Sequence, residues 1–127
     1  MRMNNFDKLL LKNLGVEALI LFGSQTQGIA SETSDYDFYI IGTKGAKVYN
    51  ALYDLLSKKI GRLVDIDIVF DEEAPMELKN HVAKYGEVLY QKNLSIFADF
   101  RQDVMINYAD FAPYRKMFSD ATLARIE

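Results

Sequence analysis

The chain has 127 residues, half of them hydrophobic, and a formal net charge of −3. This length allows one domain with a hydrophobic core but not a catalytic domain plus a separate substrate domain. The acidic balance argues against a protein that follows a nucleic-acid backbone, because such binding depends on many phosphate-neutralising lysines and arginines.

The residue types that are scarce exclude several kinds of site. The chain contains no cysteine and a single histidine, His81, which excludes thiol catalysis, disulfides and zinc sites with several Cys or His ligands. We expect His81 to be a surface residue of a polar helix, with a weak general base as the alternative. No apolar run approaches the roughly 20 residues that span a bilayer, and residues 1–7 lack the apolar stretch of a signal peptide. We therefore expect a cytoplasmic protein that does not contact membranes.

The first predicted element is a helix capped by Asn4 or Asn5 and ended by Gly15. Its apolar residues recur at helical spacing and are expected to face the core. They are Phe6, Leu9, Leu10 and Leu14.

A buried strand is predicted next, from Val16 or Ala18 to the turn formed by Gly23 and Ser24. Glycine lets a backbone approach a ligand closely, and the N–H groups of such a turn, together with the Ser24 hydroxyl, can hold phosphate oxygens. The polar spacer that follows, residues 25–34, is predicted to form a short helical turn and a loop.

The second strand is predicted from Asp35 or Tyr36 to Ile41. Side chains two apart on a strand point to the same face, so Asp35 and Asp37 share one place. Two carboxylates this close repel each other unless a cation lies between them, and oxygen ligands suit Mg²⁺ or Mn²⁺. The turn and the carboxylates together indicate metal-dependent nucleotidyl transfer.

A second helix is predicted from Ala46 to about Ile60, closed by Gly61. Its apolar residues form a face that we assign to the core. They are Val48, Leu52, Leu55 and Leu56, with Leu63 nearby.

The third strand is predicted from Leu63 to Phe70, and alternation places Asp65 and Asp67 on one face of it. A carboxylate here, beside the second strand, completes a triad. It would act as a general base or as a ligand of the metal that activates the attacking hydroxyl. The pattern alone does not choose between the two aspartates.

The last part of the chain is predicted to hold a third helix, Met76 to Tyr85, and a short strand, Glu87 to Gln91. A helical tail follows over about residues 93–127, as one helix from Ser95 to Phe111 and another opened by Pro113. The tail carries an aromatic stripe that is either core or a surface for a partner protein. Its members are Phe97, Phe100, Val104, Tyr108 and Phe111, followed by Tyr114 and Phe118.

The spacing Gly23-Ser24-x10-Asp35-x-Asp37 resembles the signature of the DNA polymerase β-like nucleotidyltransferases. The chain as a whole looks like the minimal nucleotidyltransferase antitoxins of the MntA type, which are partners of HEPN-domain toxins. Three further stretches carry that likeness: the third-strand Asp67, the run Gly86-Glu87-Val88-Leu89-Tyr90, and Asp99-Phe100 followed by Tyr108-Ala109-Asp110-Phe111-Ala112-Pro113.

This resemblance implies an α/β fold, the polymerase β-like palm with a small mixed sheet flanked by helices, in a single domain over residues 1–127. It implies transfer of AMP from ATP, with Mg²⁺, to a tyrosine of the HEPN ribonuclease toxin, bound as a hetero-oligomer. Gly23 and Ser24 would hold the β- and γ-phosphates. Asp35, Asp37 and Asp67 would hold the metals and assist the acceptor oxygen, with Asp65 as the fallback for Asp67.

One departure from the family concerns phosphate binding. Relatives usually carry arginines after the Gly-Ser pair, whereas this chain has Gln25 and Gln27, which can donate hydrogen bonds but bring no charge. Two alternatives therefore remain open. One is an antitoxin that acts by binding and occlusion alone, and the other is a small-molecule nucleotidyltransferase of the aminoglycoside-modifying kind.

Overall fold

The computed structural model of the chain describes residues 1–26 and 35–115, with side chains described as far as residue 108. Within these ranges four helices and four strands are formed. They are α1 (Asn5–Asn13), β1 (Val16–Phe22), β2 (Tyr36–Gly42), α2 (Ala46–Ile60), β3 (Ile66–Phe70), α3 (Met76–Tyr85), β4 (Glu87–Gln91) and α4 (Ile96–Arg115). Two short 3-10 turns, Gly23–Gln25 and Asp71–Glu73, follow β1 and β3. None of the helices described is long and apolar enough to cross a membrane.

The four strands form one mixed sheet in the order β3-β2-β1-β4. Strand β1 is antiparallel to both of its neighbours, and β2 is parallel to β3. The carboxyl end of β1 therefore lies at the same end of the sheet as the amino ends of the other three strands. This confirms the predicted α/β class, and it brings the turn after β1 beside the start of β2 and β3.

Helices cover both faces of the sheet because the strands bury apolar side chains on both faces. Helices α1 and α2 cover one face, and their contribution to its core is Leu11, Val48, Leu52 and Leu56. Helices α3 and α4 cover the other face, where Val82, Ile96, Phe97 and Phe100 pack against strand side chains. Phe97 and Phe100 thus belong to the core, while Phe111, Tyr114 and Phe118 lie outside the described side chains.

The predicted bounds of α1 agree with the structure, but its predicted core face is only partly correct, because Leu14 packs against the core while two other members do not. Phe6 and Leu9 are 76% and 57% exposed, and the buried residues of the helix are Asp7 and Leu11. The helix begins in a capping box, in which Asn4 Oδ1 accepts from the Asp7 backbone N–H at 2.8 Å and Asp7 Oδ2 accepts from the Asn4 N–H at 3.0 Å. The rotation of α1 follows from a tertiary contact: Asp7 forms a buried ion pair with Lys59 of α2, at 2.5 Å.

Strand β3 is shorter than predicted because its ladder with β2 begins at the pair Tyr36 and Ile66. Leu63 lies before the strand and is fully exposed, so its assignment to the core is wrong. The bounds of α4 also differ from the prediction, since one helix continues through Pro113 to Arg115. A proline removes one backbone donor from a helix but does not have to end it.

Candidate active site

The predicted site residues come from three strand ends that meet at one end of the sheet. In the antiparallel ladder Phe22 pairs with Asp37, and in the parallel ladder Asp37 pairs with Asp67. Gly23 follows Phe22 directly, and Asp35 lies just before β2. The structure therefore brings the Gly23 turn and the carboxylates of Asp37 and Asp67 to adjacent positions across three strands.

The turn after β1 requires glycine for two reasons. Gly23 has a backbone φ of +81°, which residues other than glycine rarely adopt. A Cβ built on Gly23 would also collide with the Asp37 carboxylate, since it would lie 3.3 Å from Asp37 Cγ and closer still to Oδ2. The backbone of the turn after β1 thus packs directly on Asp37, a candidate metal ligand.

The turn places backbone N–H groups at its start, as the first turn of any helix does. Gly23–Gln25 form a 3-10 turn that Thr26 closes, its backbone N–H and its hydroxyl both donating to the Gly23 carbonyl at 3.1 and 2.9 Å. The Gln25 amide donates to the Asp35 carbonyl at 3.4 Å. Gln25 therefore ties the turn to the residue before β2. Gln27 lies outside the described residues.

The electrostatics of the carboxylates show that they act on one another. Burial raises the pKa of Asp37 above its usual value, and the charges of Asp67 and Asp35 raise it further. Burial and the two neighbouring carboxylates each disfavour a negative charge on Asp37. A divalent cation bound here would favour the ionised carboxylates and so lower the pKa of Asp37.

The chemistry of the donor set fits such a cation, because three carboxylates are the hard oxygen ligands of Mg²⁺ or Mn²⁺. As the described side chains stand, no three Asp, Glu or His residues are arranged closely enough to enclose a metal ion. Asp35, Asp37 and Asp67 are the residues that would hold it, with side-chain adjustment.

The register distinguishes the two aspartates of the third strand. Asp67 lies in β3 opposite Asp37, and its charge acts on Asp37. Asp65 precedes the strand, where its backbone carbonyl accepts from the Tyr36 N–H at 3.0 Å. The geometry therefore favours Asp67 over Asp65 as the third carboxylate.

Two groups near this end of the sheet were not predicted from the sequence. Arg62, in the loop before β3, places its guanidinium over the Tyr36 ring, 5.6 Å from the centroid, and donates a hydrogen bond to the Tyr36 hydroxyl oxygen at 3.3 Å. His81 is half-buried, because its ring packs against Phe22 with the centroids 6.2 Å apart. His81 thus lies partly at the surface, as predicted, but with one side of its ring packed on the core. Neither contact has a signal in the spacing of the sequence, since each depends on tertiary packing.

Residues 4–95 match the family model described as polymerase beta, nucleotidyltransferase. No protein with a curated function matches the sequence. The match covers the turn after β1, the carboxylates of β2 and β3, and the whole sheet.

Solved structures share the fold over almost the full length of both chains. A chain of the crystal structure of a toxin–antitoxin with AMP-PNP has a TM-score of 0.73 and 21% identity, covering 94% of this chain and 99% of that chain. A chain of the complex of tri-AMPylated Shewanella oneidensis HEPN toxin with MNT antitoxin has a TM-score of 0.65 and 18% identity, covering 95% and 99%. A chain of the MntA–HepT toxin–antitoxin has a TM-score of 0.64 and 17% identity, covering 94% and 99%.

Proposed function

The chain belongs to the polymerase β nucleotidyltransferase family, and on that premise we propose that it is the antitoxin of a HEPN/MNT toxin–antitoxin pair. It transfers AMP from ATP to a tyrosine of the HEPN ribonuclease toxin, which silences the toxin. The two proteins assemble as a hetero-oligomer in the cytoplasm, and the chain itself does not bind nucleic acid.

The observation that carries this proposal is the meeting of Gly23, Asp37 and Asp67 at one end of the sheet. The fold around them is shared along almost the whole chain with chains from toxin–antitoxin crystal structures, one with AMP-PNP and one with a tri-AMPylated toxin.

In the proposed reaction the backbone N–H groups of the Gly23 turn and the Ser24 hydroxyl hold the β- and γ-phosphates of ATP. Asp35 and Asp37 would hold a divalent ion, which would supply charge neutralisation at the α-phosphate. The tyrosine oxygen attacks the α-phosphorus, the bond to the β-phosphate oxygen breaks, and pyrophosphate leaves. Asp67 accepts the hydroxyl proton or orients the hydroxyl for attack.

The test is the intact mass of the HEPN partner after incubation with this protein, ATP and Mg²⁺. The proposal expects a gain of one or more AMP units that is lost when Asp35→Asn and Asp37→Asn are combined. Asp54→Asn is the matched control, because the Asp54 carboxylate lies on α2 and pairs with exposed Lys58 at 3.1 Å. Modification that persists undiminished in the double variant would refute the assigned site.

The second candidate function is neutralisation by binding alone. It is favoured by Gln25, which brings no charge to the phosphates and instead hydrogen-bonds the Asp35 carbonyl. This candidate expects the partner to be bound and silenced without any gain of mass, and calorimetry to detect no binding of Mg-ATP.

A further inference from the structure

An unassigned group of aromatic side chains lies beside the proposed nucleotide site. Helix α3 ends at Tyr85, and β4 begins at Glu87, which pairs with Leu21 of β1. The end of α3 therefore lies at the same end of the sheet as the Gly23 turn. Its last turn carries two rings, those of His81 and Tyr85.

These rings form a column that begins next to the turn. The Phe22 ring packs edge-on against the His81 ring, with the centroids 6.2 Å apart, and the Tyr85 ring lies 5.1 Å from His81. Exposure increases along the column, from 7% at Phe22 to 51% at Tyr85. We call Phe22, His81 and Tyr85 the aromatic column.

The column lies on the same face of the sheet as the Asp37 side chain. Phe22 packs on the α3 and α4 side, and alternation along β2 places Asp37 on the same side as Tyr39, which packs there with Phe22. The Gly23 turn, which directly follows Phe22, and Asp37, which pairs with Phe22, therefore lie next to the column. The outermost ring of the column then offers a flat aromatic surface to the base.

We propose that the aromatic column, through the exposed ring of Tyr85, is the stacking surface for the base of the bound nucleoside triphosphate. The inference rests on the proposed function, since it names how the same site holds ATP. Stacking uses the π-face that every base possesses, so the surface contributes affinity and position more than discrimination between bases.

The role of His81 is to support Tyr85. Burial lowers the pKa of His81 below its usual value, so the imidazole is mainly neutral at pH 7 and packs as an uncharged ring. Phe22 is fixed in turn by the core on this face. The exposed ring of Tyr85 therefore packs on the His81 ring, which in turn packs on a core residue, Phe22.

The experiment compares nucleotide binding by Tyr85→Ala, Tyr85→Phe and the wild-type protein in isothermal calorimetry with Mg²⁺. Tyr85→Ala is expected to weaken ATP binding about 5- to 150-fold, the range for losing one stacked base. Binding of inorganic tripolyphosphate should be unchanged, and Tyr85→Phe should bind ATP like the wild type. The control is Tyr53→Ala, which removes a similarly exposed tyrosine on α2, on the other face of the sheet.

A second readout does not depend on transfer. The fluorescence of 2-aminopurine riboside triphosphate falls when its base stacks, so the wild type should quench it and Tyr85→Ala should not. If wild-type protein binds ATP and Tyr85→Ala binds it equally well, the stacking surface is refuted and the proposed function stands. Loss of partner binding alone in Tyr85→Ala would make the ring a protein contact and also refute it. If the wild type binds no ATP, both proposals fail.

Discussion

Gly23 lies directly against the carboxylate of Asp37, so closely that a Cβ on Gly23 would overlap the Asp37 Oδ2 position. Gly23 belongs to the turn after β1 and Asp37 to the start of β2, yet the Asp37 carboxylate occupies the position where a Gly23 side chain would lie. The proposed phosphate-binding turn and the proposed metal ligand are thus coupled sterically. A side chain at position 23 would displace the carboxylate on which the metal would depend.

Gly23→Ala should therefore reduce AMP transfer by more than its loss of folding stability can explain. We expect AMP transfer to fall more than about 100-fold, with a loss of about 1–3 kcal/mol in the free energy of unfolding from the positive φ. Gly45→Ala is the matched control, since Gly45 also has a positive φ, of 138°, but a Cβ there would meet nothing within 4 Å. Urea unfolding and transfer assays on both variants separate strain from collision, and equal transfer by the two would contradict the coupling.

The choice between Asp67 and Asp65 can be tested by two isosteric substitutions in neighbouring positions. Asp67→Asn should lower transfer more than about 100-fold, because it removes the carboxylate paired with Asp37 across the parallel ladder. Asp65→Asn should leave transfer within a few-fold of wild type, since the contact of Asp65 with β2 is made by its backbone carbonyl. The measurement is single-turnover transfer at saturating ATP. The reverse ranking would make Asp65 the third carboxylate.

Asp37→Asn should separate metal binding from folding. Burial and the charges of Asp67 and Asp35 raise the pKa of Asp37, so the ionised carboxylate costs more free energy in the folded protein than in the unfolded chain. Without metal, the uncharged variant should melt at the wild-type temperature or above it. Mg-ATP at 100 times its dissociation constant should stabilise the wild type by about 2.7 kcal/mol and the variant far less. Thermal melts with and without Mg-ATP decide this, and equal stabilisation of both proteins would exclude Asp37 as a ligand.

Most of the sheet and the residues of the site follow from the sequence because their signals are local. The apolar run ending at Gly23-Ser24 and the alternation around Asp37 each fix a strand and the face of its side chains. The pairing of Asp67 with Asp37 is different, since it depends on the register between two strands. The sequence pattern alone left Asp65 and Asp67 equivalent.

The face of α1 shows where local patterns fail. Leucines at three successive positions, 9 to 11, allow more than one helical face to be apolar. The structure buries Leu11 with Asp7, leaving Leu9 exposed. Burying a carboxylate costs free energy unless it is paired and hydrogen-bonded. Asp7 has both kinds of partner, the Lys59 ammonium on α2 and the Asn4 backbone N–H. The packing of His81 on Phe22 depends on tertiary contact in the same way.

The buried pair of Asp7 and Lys59 should be the main electrostatic contact that fixes α1 on α2. Burial alone would raise the pKa of Asp7, but the hydrogen bond and charge of Lys59 and the Asn4 backbone N–H outweigh it, so the pKa is lowered. The stabilisation by this pair is therefore complete above the unfolded pKa of Asp7 and is lost as pH falls through the folded pKa.

Asp7→Asn should lower the free energy of unfolding at pH 7 by about 3 kcal/mol and make stability fall less steeply as the pH is lowered. Asp54→Asn breaks the exposed pair with Lys58 and should cost less than about 0.5 kcal/mol. Urea unfolding of both variants between pH 7 and pH 3 makes the comparison, and equal costs would mean that the buried pair contributes no more than a surface one.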